Sequence, residues 1–263
     1  MELTVGSRQQ ITIAGNMVSA LVKSVDAVPG GAFVIYNIPN YGETQPFWSP
    51  DGTVQGIETR RSQSMIPPEY VYKRAKDFQW DIYGENVNLQ RQIVNAFIVN
   101  FKAFEKQGRG LYIYSETKGS GKTMLACCLC NEVIERYGIP VKFISVPDFV
   151  ELIKDKSDMS KEKTESLYQA RLLVLDDIGA QTGKQEWIDN ALFRLIDYRK
   201  REFLPTIFTS NCDSEQLKMD DRSVDRIVSI STEVKIPERS IRREKAAEAN
   251  RKFIQGLLDA EKP

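Results

Sequence analysis

Residues 111–123 read LYIYSETKGSGKT, and this stretch decides the fold. Residues 111–115 form an apolar and aromatic run that predicts a short strand. Gly119 and Gly121 then predict a tight turn, and a helix follows that ends near Gly138. A strand, a glycine-rich loop ending in Gly-Lys-Thr and a helix together predict a loop that binds phosphate.

This loop carries the groups that a nucleoside triphosphate needs. Its glycines let successive backbone N–H groups face phosphate oxygens, and the positive end of the following helix dipole strengthens that attraction. Lys122 can reach the β- and γ-phosphates, and the Thr123 hydroxyl can ligate Mg²⁺. Glu116 stands where the usual pattern has its first glycine. The candidate nucleotide-binding residues are Gly119, Ser120, Gly121, Lys122 and Thr123.

Two acidic residues end a second apolar run. Residues 172–177 read LLVLDD, which predicts a buried parallel strand ending in Asp176 and Asp177. The carboxyl end of such a strand lies at the ligand-binding edge of the sheet. There Asp176 can hold Mg²⁺, directly or through water, and Asp177 can polarise the attacking water. A helix N-cap is the alternative role, and it accounts for one of the two acids but not for both.

A third apolar run ends in polar residues and leads to a series of arginines. Residues 205–211 read PTIFTSN, so Asn211 can contact the γ-phosphate or the water, or serve as an ordinary turn residue. Arginines neutralise charge that develops on a transferred phosphoryl group, although such a series is commonly solvated surface. The spacing does not select one of them: Arg222, Arg226, Arg239, Arg242 and Arg243.

Strands and helices alternate along most of the chain. An apolar stripe from Leu89 to Phe104 predicts one helix over residues 86–106. The alternation predicts parallel β-α-β units, and hence an α/β fold with a three-layer core and a parallel sheet. The other predicted elements are strands at residues 141–146, 172–175 and 206–210 and helices at residues 148–154, 187–200 and 239–260.

The first quarter of the chain differs from the rest in its low charge and its many turn residues. Residues 10–13 and 32–36 predict strands because they are rich in β-branched and aromatic side chains. Residues 16–28 predict a short amphipathic helix, and residues 59–64 predict a polar linker. This region therefore predicts a small module of α+β or mostly β structure.

The composition limits the chemistry and the compartment. The chain has 36 Lys+Arg and 36 Asp+Glu, so the net charge is zero. It has no histidine, which excludes catalysis by histidine and zinc sites with histidine ligands. Three of the four cysteines fall within residues 127–130, which predicts buried thiols in a cytoplasmic protein rather than disulfides. No run resembles a membrane span or a secretory signal. We expect two units, residues 1–64 and residues 65–263.

The ordered series of motifs resembles a known family. Residues 119–123 (GSGKT), 173–179 (LVLDDIG) and 209–211 (TSN) are followed by Asp225-Arg226 and by residues 240–242 (SIR). In this order they resemble the AAA+ ATPases of the DnaC/DnaI helicase-loader and IstB-like type. The resemblance implies that Lys122 and Thr123 belong to Walker A, that Asp176 and Asp177 form Walker B, and that Asn211 is sensor 1.

The resemblance also implies functional arginines and a reaction. Arg226 would be the arginine finger offered to a neighbouring subunit, with Arg222 as the competing candidate, and Arg242 would be sensor 2. The implied cofactors are ATP and Mg²⁺, and the implied reaction is hydrolysis to ADP and phosphate. Asp177 stands where many AAA+ proteins have Glu, and its shorter side chain predicts slow, switch-like turnover.

Contact with single-stranded DNA is implied through an inserted helix at residues 149–160. Single-strand binding needs a positive groove and aromatic platforms. Phe149 and Tyr168 are candidate platforms, and Lys154 and Lys156 are candidate cations. A solvated helix face explains the lysines equally well.

Three functions fit the resemblance. The preferred one is a bacterial or phage loader of a hexameric replicative helicase onto single-stranded DNA, with self-association in the ATP state and residues 1–64 docking the helicase. An IstB-like transposition helper would wrap duplex DNA, which the zero net charge disfavours. A nucleotide-gated adaptor without significant hydrolysis is suggested by Glu116 and Asp177.

Overall fold

The computed structural model contains two β-sheets, the second of which is surrounded by helices. It describes residues 5–13, 16–28, 31–39, 41–50, 54–179 and 186–260. Within these ranges no helix is both long enough and apolar enough to cross a membrane.

The first sheet is antiparallel and lies before residue 51. Its strands are β1 (Arg8–Ile13), β2 (Asn16–Val28), β3 (Gly31–Ile38), β4 (Gly42–Glu43) and β5 (Phe47–Pro50). β2 pairs with β1 and β3, whereas β4 and β5 both pair with β3. Val22 and Val34 are fully buried while their neighbours Leu21 and Phe33 are exposed, so burial follows the two-residue period of a strand.

The predicted helix at residues 16–28 is wrong, because this stretch is β2. Its residues Ala20 and Val22 lie two positions apart and face the same core, and both edges of the strand are paired. A register shift after Val22 interrupts the alternation of apolar and polar residues that would have identified a strand. The strands predicted at residues 10–13 and 32–36 are confirmed within β1 and β3.

The predicted polar linker at residues 59–64 is also wrong, because the helix α1 (Val54–Ser62) covers most of it. Arg61 is buried and forms ion pairs with Glu58 and Glu135. Charged residues are rarely buried unless they are paired, so a buried and paired Arg61 shows that this segment packs against the rest of the protein. Local sequence does not reveal the partners in such pairs. The boundary between the two predicted units stays a prediction.

The second sheet is parallel and has helices on both faces. Its strands are β6 (Gly110–Tyr114), β7 (Val141–Ser145), β8 (Leu172–Ile178), β9 (Thr206–Ser210) and β10 (Ser231–Lys235). They lie side by side in the order β10-β6-β9-β8-β7. The helices are α2 (Asn88–Val99), α3 (Phe101–Lys106), α4 (Lys122–Tyr137), α5 (Val146–Lys154), α6 (Asp158–Gln169), α7 (Glu186–Arg201), α8 (Asp221–Ile230) and α9 (Ile241–Ala260).

Strand β8 is buried on both of its faces. Leu172 and Val174 belong to one apolar cluster, whereas Leu173 and Leu175 belong to the cluster on the opposite face. A continuous apolar run without alternation is typical of a parallel strand covered on both sides. The predicted α/β fold with a three-layer core and a parallel sheet is therefore confirmed.

The predicted helix at residues 86–106 is divided into α2 and α3 at Asn100. The Asn100 side-chain Nδ2 and its backbone N–H both donate to the Ala96 carbonyl oxygen, at 3.2 and 2.9 Å. Such local side-chain bonds compete with the regular helical pattern. Phe97 and Phe101 are fully buried as the stripe predicted, but Leu89 is 66% exposed.

Arg199 of α7 is fully buried and fixes the starts of two strands. Its guanidinium donates to the carbonyl oxygens of Leu167 and Ala170, just before β8, at 2.9 and 2.8 Å. It also donates to the Pro205 carbonyl oxygen at 2.7 Å and to Thr206 Oγ1 at 2.9 Å, at the start of β9. These bonds satisfy carbonyl groups that burial would otherwise leave without a donor.

The three clustered cysteines all lie on α4. Cys127, Cys128 and Cys130 are fully buried free thiols. Burial raises the pKa of Cys128 to about 12, so this side chain stays protonated and unreactive at neutral pH. The prediction that these residues serve as small buried apolar side chains is confirmed.

Candidate nucleotide-binding site

The predicted nucleotide-binding loop, the acid pair and Asn211 come together at the carboxyl edge of three neighbouring strands. The loop before α4 follows β6, the acid pair ends β8, and Asn211 follows β9. These three strands are adjacent in the order β6-β9-β8, so their carboxyl ends meet at one place. This edge is where open parallel sheets bind ligands.

Lys122 is held inside the loop. It is 6% exposed, and its Nζ donates to the carbonyl oxygens of Ser115 and Thr117, at 3.0 and 3.1 Å. A third contact joins Nζ to Ser120 Oγ at 3.3 Å. Burial lowers the pKa of Lys122, and the nearby carboxylate of Asp177 acts in the opposite direction. The loop is therefore wrapped around a cation that can face phosphate oxygens.

The loop requires glycine at its turn. Gly121 has φ +103°, and a Cβ there would lie 3.1 Å from Tyr83 Oη and 3.2 Å from the Phe78 ring. Tyr83 Oη also donates to the Ser120 carbonyl oxygen at 2.6 Å, so the segment before α2 supports the loop. In the described part of the chain, no protein acceptor binds the backbone N–H groups of residues 119–123. Unpaired N–H groups at a helix N-terminus form an anion-binding site.

Asp176 faces the first turn of α4. Its Oδ2 accepts a hydrogen bond from Thr123 Oγ1 at 3.2 Å, and its Oδ1 accepts one from Thr209 Oγ1 at 2.6 Å. Burial raises the pKa of Asp176 to about 6, and the neighbouring Asp177 carboxylate adds to this effect. A buried carboxylate next to a threonine hydroxyl, with a raised pKa and a second acid beside it, suits a divalent cation with oxygen ligands.

Asp177 occupies a strained position next to Asn211. Its φ of +59° is left-handed, and the pairing of β8 with β9 shifts register at this point. Its backbone N–H donates to Thr209 Oγ1 at 2.9 Å, and its Oδ1 accepts a hydrogen bond from Asn211 Nδ2 at 3.3 Å. Backbone strain of this kind is concentrated at functional sites. At this position the Asp177 carboxylate lies against the Asn211 amide.

Thr209 links the two acids, a role that the sequence motifs do not assign to it. Its hydroxyl donates to the Asp176 carboxylate and accepts from the Asp177 backbone N–H. A signal was present, because Thr209 is a polar residue near the end of an otherwise apolar strand. Its partner was not evident, since register between β8 and β9 is set by the sheet.

The three candidate arginines lie in two places. Arg242 begins α9 beside the loop, where its backbone N–H donates to the Gly119 carbonyl oxygen at 3.1 Å. Arg226 on α8 instead forms an ion pair with Asp197 of α7, and its guanidinium lies 4.4 Å from the Phe193 ring centroid. Arg222 lies over the same ring at 4.7 Å, and its side chain is 64% exposed.

The predicted DNA-contacting residues are only partly suited to that role. Phe149 is fully buried in the apolar cluster beneath α5, so its ring is part of the core and offers no stacking surface. Tyr168 packs edge-on against Tyr198, with ring centroids 5.3 Å apart. Lys154 Nζ lies 5.5 Å from the ring centroid of Trp187, an aromatic residue that is 43% exposed. Lys156 is exposed just after α5.

Together, the fold and the site define a P-loop ATP-binding protein of the AAA+ type. Residues 102–249, more than half of the chain, match the family model described as IstB-like ATP binding protein. The chain belongs to this family.

Among curated proteins, the chain is similar to replicative helicase loaders. It is 29% identical over 168 residues to the replicative helicase loader DnaI of Bacillus subtilis (strain 168), covering 61% of this chain and 52% of that protein. It is 32% identical over 143 residues to DnaC of Escherichia coli (strain K12), covering 52% and 54%. The chain thus spans about half the length of the curated relatives it matches.

Among solved structures, the chain resembles a crystal structure of DnaI with a TM-score of 0.57 and 26% identity. The match covers 66% of this chain and 95% of that one. The fold and the nucleotide-binding family therefore agree with the motifs that the sequence presented.

Proposed function

We propose that this protein is an ATP-dependent loader that places a replicative DNA helicase on single-stranded DNA. The likeness of its ATP-binding core to two curated helicase loaders carries this proposal. The charge balance supports a switch that acts through protein contacts, since a stable duplex binder normally has a basic face.

Hydrolysis of ATP with Mg²⁺ is the reaction proposed for the site. The Thr123 hydroxyl and the Asp176 carboxylate, which lie 3.2 Å apart, would hold Mg²⁺. When bound, this ion would neutralise charge on the phosphate oxygens. Lys122 would bind the β- and γ-phosphates, and the N–H groups of residues 119–123 would bind phosphate oxygens.

The attacking water would be held by Asp177 and Asn211. Asp177 Oδ1 accepts a hydrogen bond from Asn211 Nδ2 at 3.3 Å, so the two side chains lie side by side, and a water in contact with both would be oriented by one acceptor and one donor. Arg242 would act as sensor 2 in its own subunit, and Arg226 would be offered to a neighbour, with Arg222 as its competitor. Turnover is proposed to be slow, because the Asp177 side chain is short and its backbone is held in a left-handed conformation.

Residues 1–64 are proposed to dock the helicase. The apolar cluster of the first sheet consists, among the described side chains, of residues from that sheet alone. A unit with its own small core and no nucleotide motif is suited to partner binding. Self-association through Arg226 in the ATP state would then grip single-stranded DNA near Lys154 and Lys156.

Co-elution with the helicase tests the proposal. The full chain is mixed with the replicative helicase of its source cell on a sizing column, with and without ATP. We expect ATP-sensitive co-elution by the wild type and its loss in Lys122→Ala, which removes the phosphate-binding cation. Absence of ATP-sensitive co-elution overturns helicase loading, and ATPase stimulation that grows with duplex length would indicate a transposition helper instead.

A further inference from the structure

Glu238, three residues after β10, binds the start of the phosphate loop. Its Oε2 accepts hydrogen bonds from Ser115 Oγ at 3.0 Å and from the Thr117 backbone N–H at 2.6 Å. Its Oε1 accepts one from the Glu116 backbone N–H at 3.0 Å. Glu238 as a residue is exposed, so these hydrogen bonds, and not enclosure in the core, set the direction of the carboxylate.

The contact continues along the loop toward α9. Ser240 Oγ donates to the Lys118 carbonyl oxygen at 2.9 Å, and the Arg242 backbone N–H donates to the Gly119 carbonyl oxygen at 3.1 Å. A Cβ at Gly119 would lie 2.9 Å from Arg242 Cβ, which shows how closely the two backbones approach. The loop is therefore bound by successive hydrogen bonds to residues 238–242, where α9 begins.

Among the backbone N–H groups of the loop, the Glu238 carboxylate accepts hydrogen bonds only from those that precede the anion-binding turn. It occupies those of Glu116 and Thr117, while in the described structure no protein acceptor binds those of residues 119–123. Burial acts to raise the pKa of Glu238, but the hydrogen bonds from the loop outweigh it and hold this pKa below its usual value. Glu238 is therefore charged at neutral pH, and its charge also favours the ammonium form of Lys122.

We propose that Glu238 is a positioning residue, which fixes the phosphate loop in the shape that binds ATP and couples the occupied loop to α9. This proposal rests on nucleotide binding at the loop and is independent of helicase loading. Charge-assisted hydrogen bonds to backbone N–H groups hold a loop more firmly than neutral ones do. A loop held before the ligand arrives loses less conformational freedom on binding.

Three variants and one control test the role of Glu238. Glu238→Ala removes all of the acceptors, Glu238→Asp is too short to span the contacts, and Glu238→Gln keeps one oxygen acceptor. Glu248→Gln is the control, because Glu248 lies on α9, the helix that follows Glu238, and pairs with exposed Lys252. Circular dichroism and thermal melting establish that each variant is folded.

Two measurements are made on the full-length chain. Binding of ATP is titrated calorimetrically, and hydrogen exchange of α9 is followed with and without ATP. We expect Glu238→Ala and Glu238→Asp to bind ATP about tenfold more weakly and Glu238→Gln about threefold more weakly. We also expect KM for ATP to rise with kcat nearly unchanged, and the first turn of α9 to lose its ATP-dependent protection. Glu248→Gln should match the wild type in all respects.

Wild-type ATP affinity in folded Glu238→Ala overturns the proposal. So does an unchanged response of α9 to ATP, or a Gln variant no better than the Ala variant, because either result would indicate a merely structural residue. Failure of the wild type itself to bind ATP would instead remove the proposed reaction, so the two failures are distinguishable.

Discussion

Arg226 Nε donates to Asp197 Oδ1 at 2.6 Å within a single chain, so the proposed arginine finger has an intramolecular partner. The same guanidinium donates to the Arg222 carbonyl oxygen at 3.0 Å and lies over the Phe193 ring. To serve a neighbouring subunit, Arg226 has to leave this ion pair. In the proposed self-association this ion pair would have to break, so its strength would raise the concentrations of ATP and protein that assembly needs.

Removing the Asp197 charge should favour assembly. In Asp197→Asn the Arg226 ion pair is lost, and a partly exposed pair of this kind contributes about 0.5–1 kcal/mol. We expect ATPase activity to reach half of its maximum at a protein concentration about two- to fivefold lower than in the wild type. Activity is measured as a function of protein concentration at saturating ATP.

Arg201→Ala is the matched control for this variant. Arg201 also pairs with Asp197, at 3.3 Å, but its side chain is 67% exposed. We expect it to leave the concentration dependence unchanged, and Arg226→Ala to abolish it. An Asp197→Asn profile that superposes on the wild type would show that the ion pair does not restrain Arg226.

Asp176 predicts a pH dependence of stability in the nucleotide-free protein. Because its pKa is raised to about 6 in the folded state, the folded protein binds this proton more tightly than the unfolded chain does. Stability from this group is complete below about pH 4 and is lost as pH rises through about 6. Asp176→Asn should therefore be more stable than the wild type at pH 7, by about 3 kcal/mol.

The Asn variant can keep both hydrogen bonds, since the Thr123 and Thr209 hydroxyls are able to rotate. Urea denaturation between pH 4 and pH 8, without nucleotide, measures the effect. We expect added Mg²⁺ and ATP to stabilise the wild type, through the proposed Mg²⁺ site, but not this variant. Equal stability of the two proteins at pH 7 would contradict the raised pKa.

Thr209 should matter more for turnover than for ATP binding. Thr209→Val keeps the side-chain shape but removes the hydroxyl that links Asp176 to the Asp177 backbone. We expect kcat to fall by about 10- to 100-fold, because the acid pair loses its alignment, with KM for ATP changed less than about threefold. Steady-state ATPase assays give both parameters.

Restoring a hydroxyl should restore activity. Thr209→Ser should recover most of the kcat lost in Thr209→Val, because serine offers the same donor and acceptor. A Ser variant as slow as the Val variant would point to packing of the methyl group instead.

Arg199 should be essential for stability and not for chemistry. Arg199→Met leaves buried carbonyl groups near the starts of β8 and β9 without donors, and we expect a loss of about 3 kcal/mol in the free energy of unfolding. Arg194→Met is the control, since Arg194 is exposed on the same helix. Denaturant titration should place the control within about 0.5 kcal/mol of the wild type.

The sequence predicts the loop and the strands of the candidate site well because their signals are local. The loop at residues 119–123 and the acids at Asp176 and Asp177 each stand beside a strand whose apolar run is continuous. Parallel pairing then brings distant strand ends to one edge without further information. The fold class follows from the same alternation of strands and helices.

The features that escaped prediction depend on contacts between distant parts of the chain. Residues 16–28 carry apolar residues at spacings compatible with a helix or a strand. They form a strand because β2 pairs with β1 on one side and with β3 on the other. Thr209 and Glu238 act through partners 33 and 121–123 residues away. Phe149 is predicted to stack on DNA but is buried in an apolar cluster. An aromatic residue on an amphipathic helix can serve either as a stacking surface or as part of the core, so its sequence position does not distinguish the two.

The first sheet packs around an apolar cluster of its own. Val22 and Val34, which form the centre of its apolar cluster, contact residues of the same sheet and contribute to neither cluster around the ATP site. Substitutions confined to this sheet can therefore accumulate over evolution, or the sheet can be exchanged for another, without disturbing the packing around the ATP site.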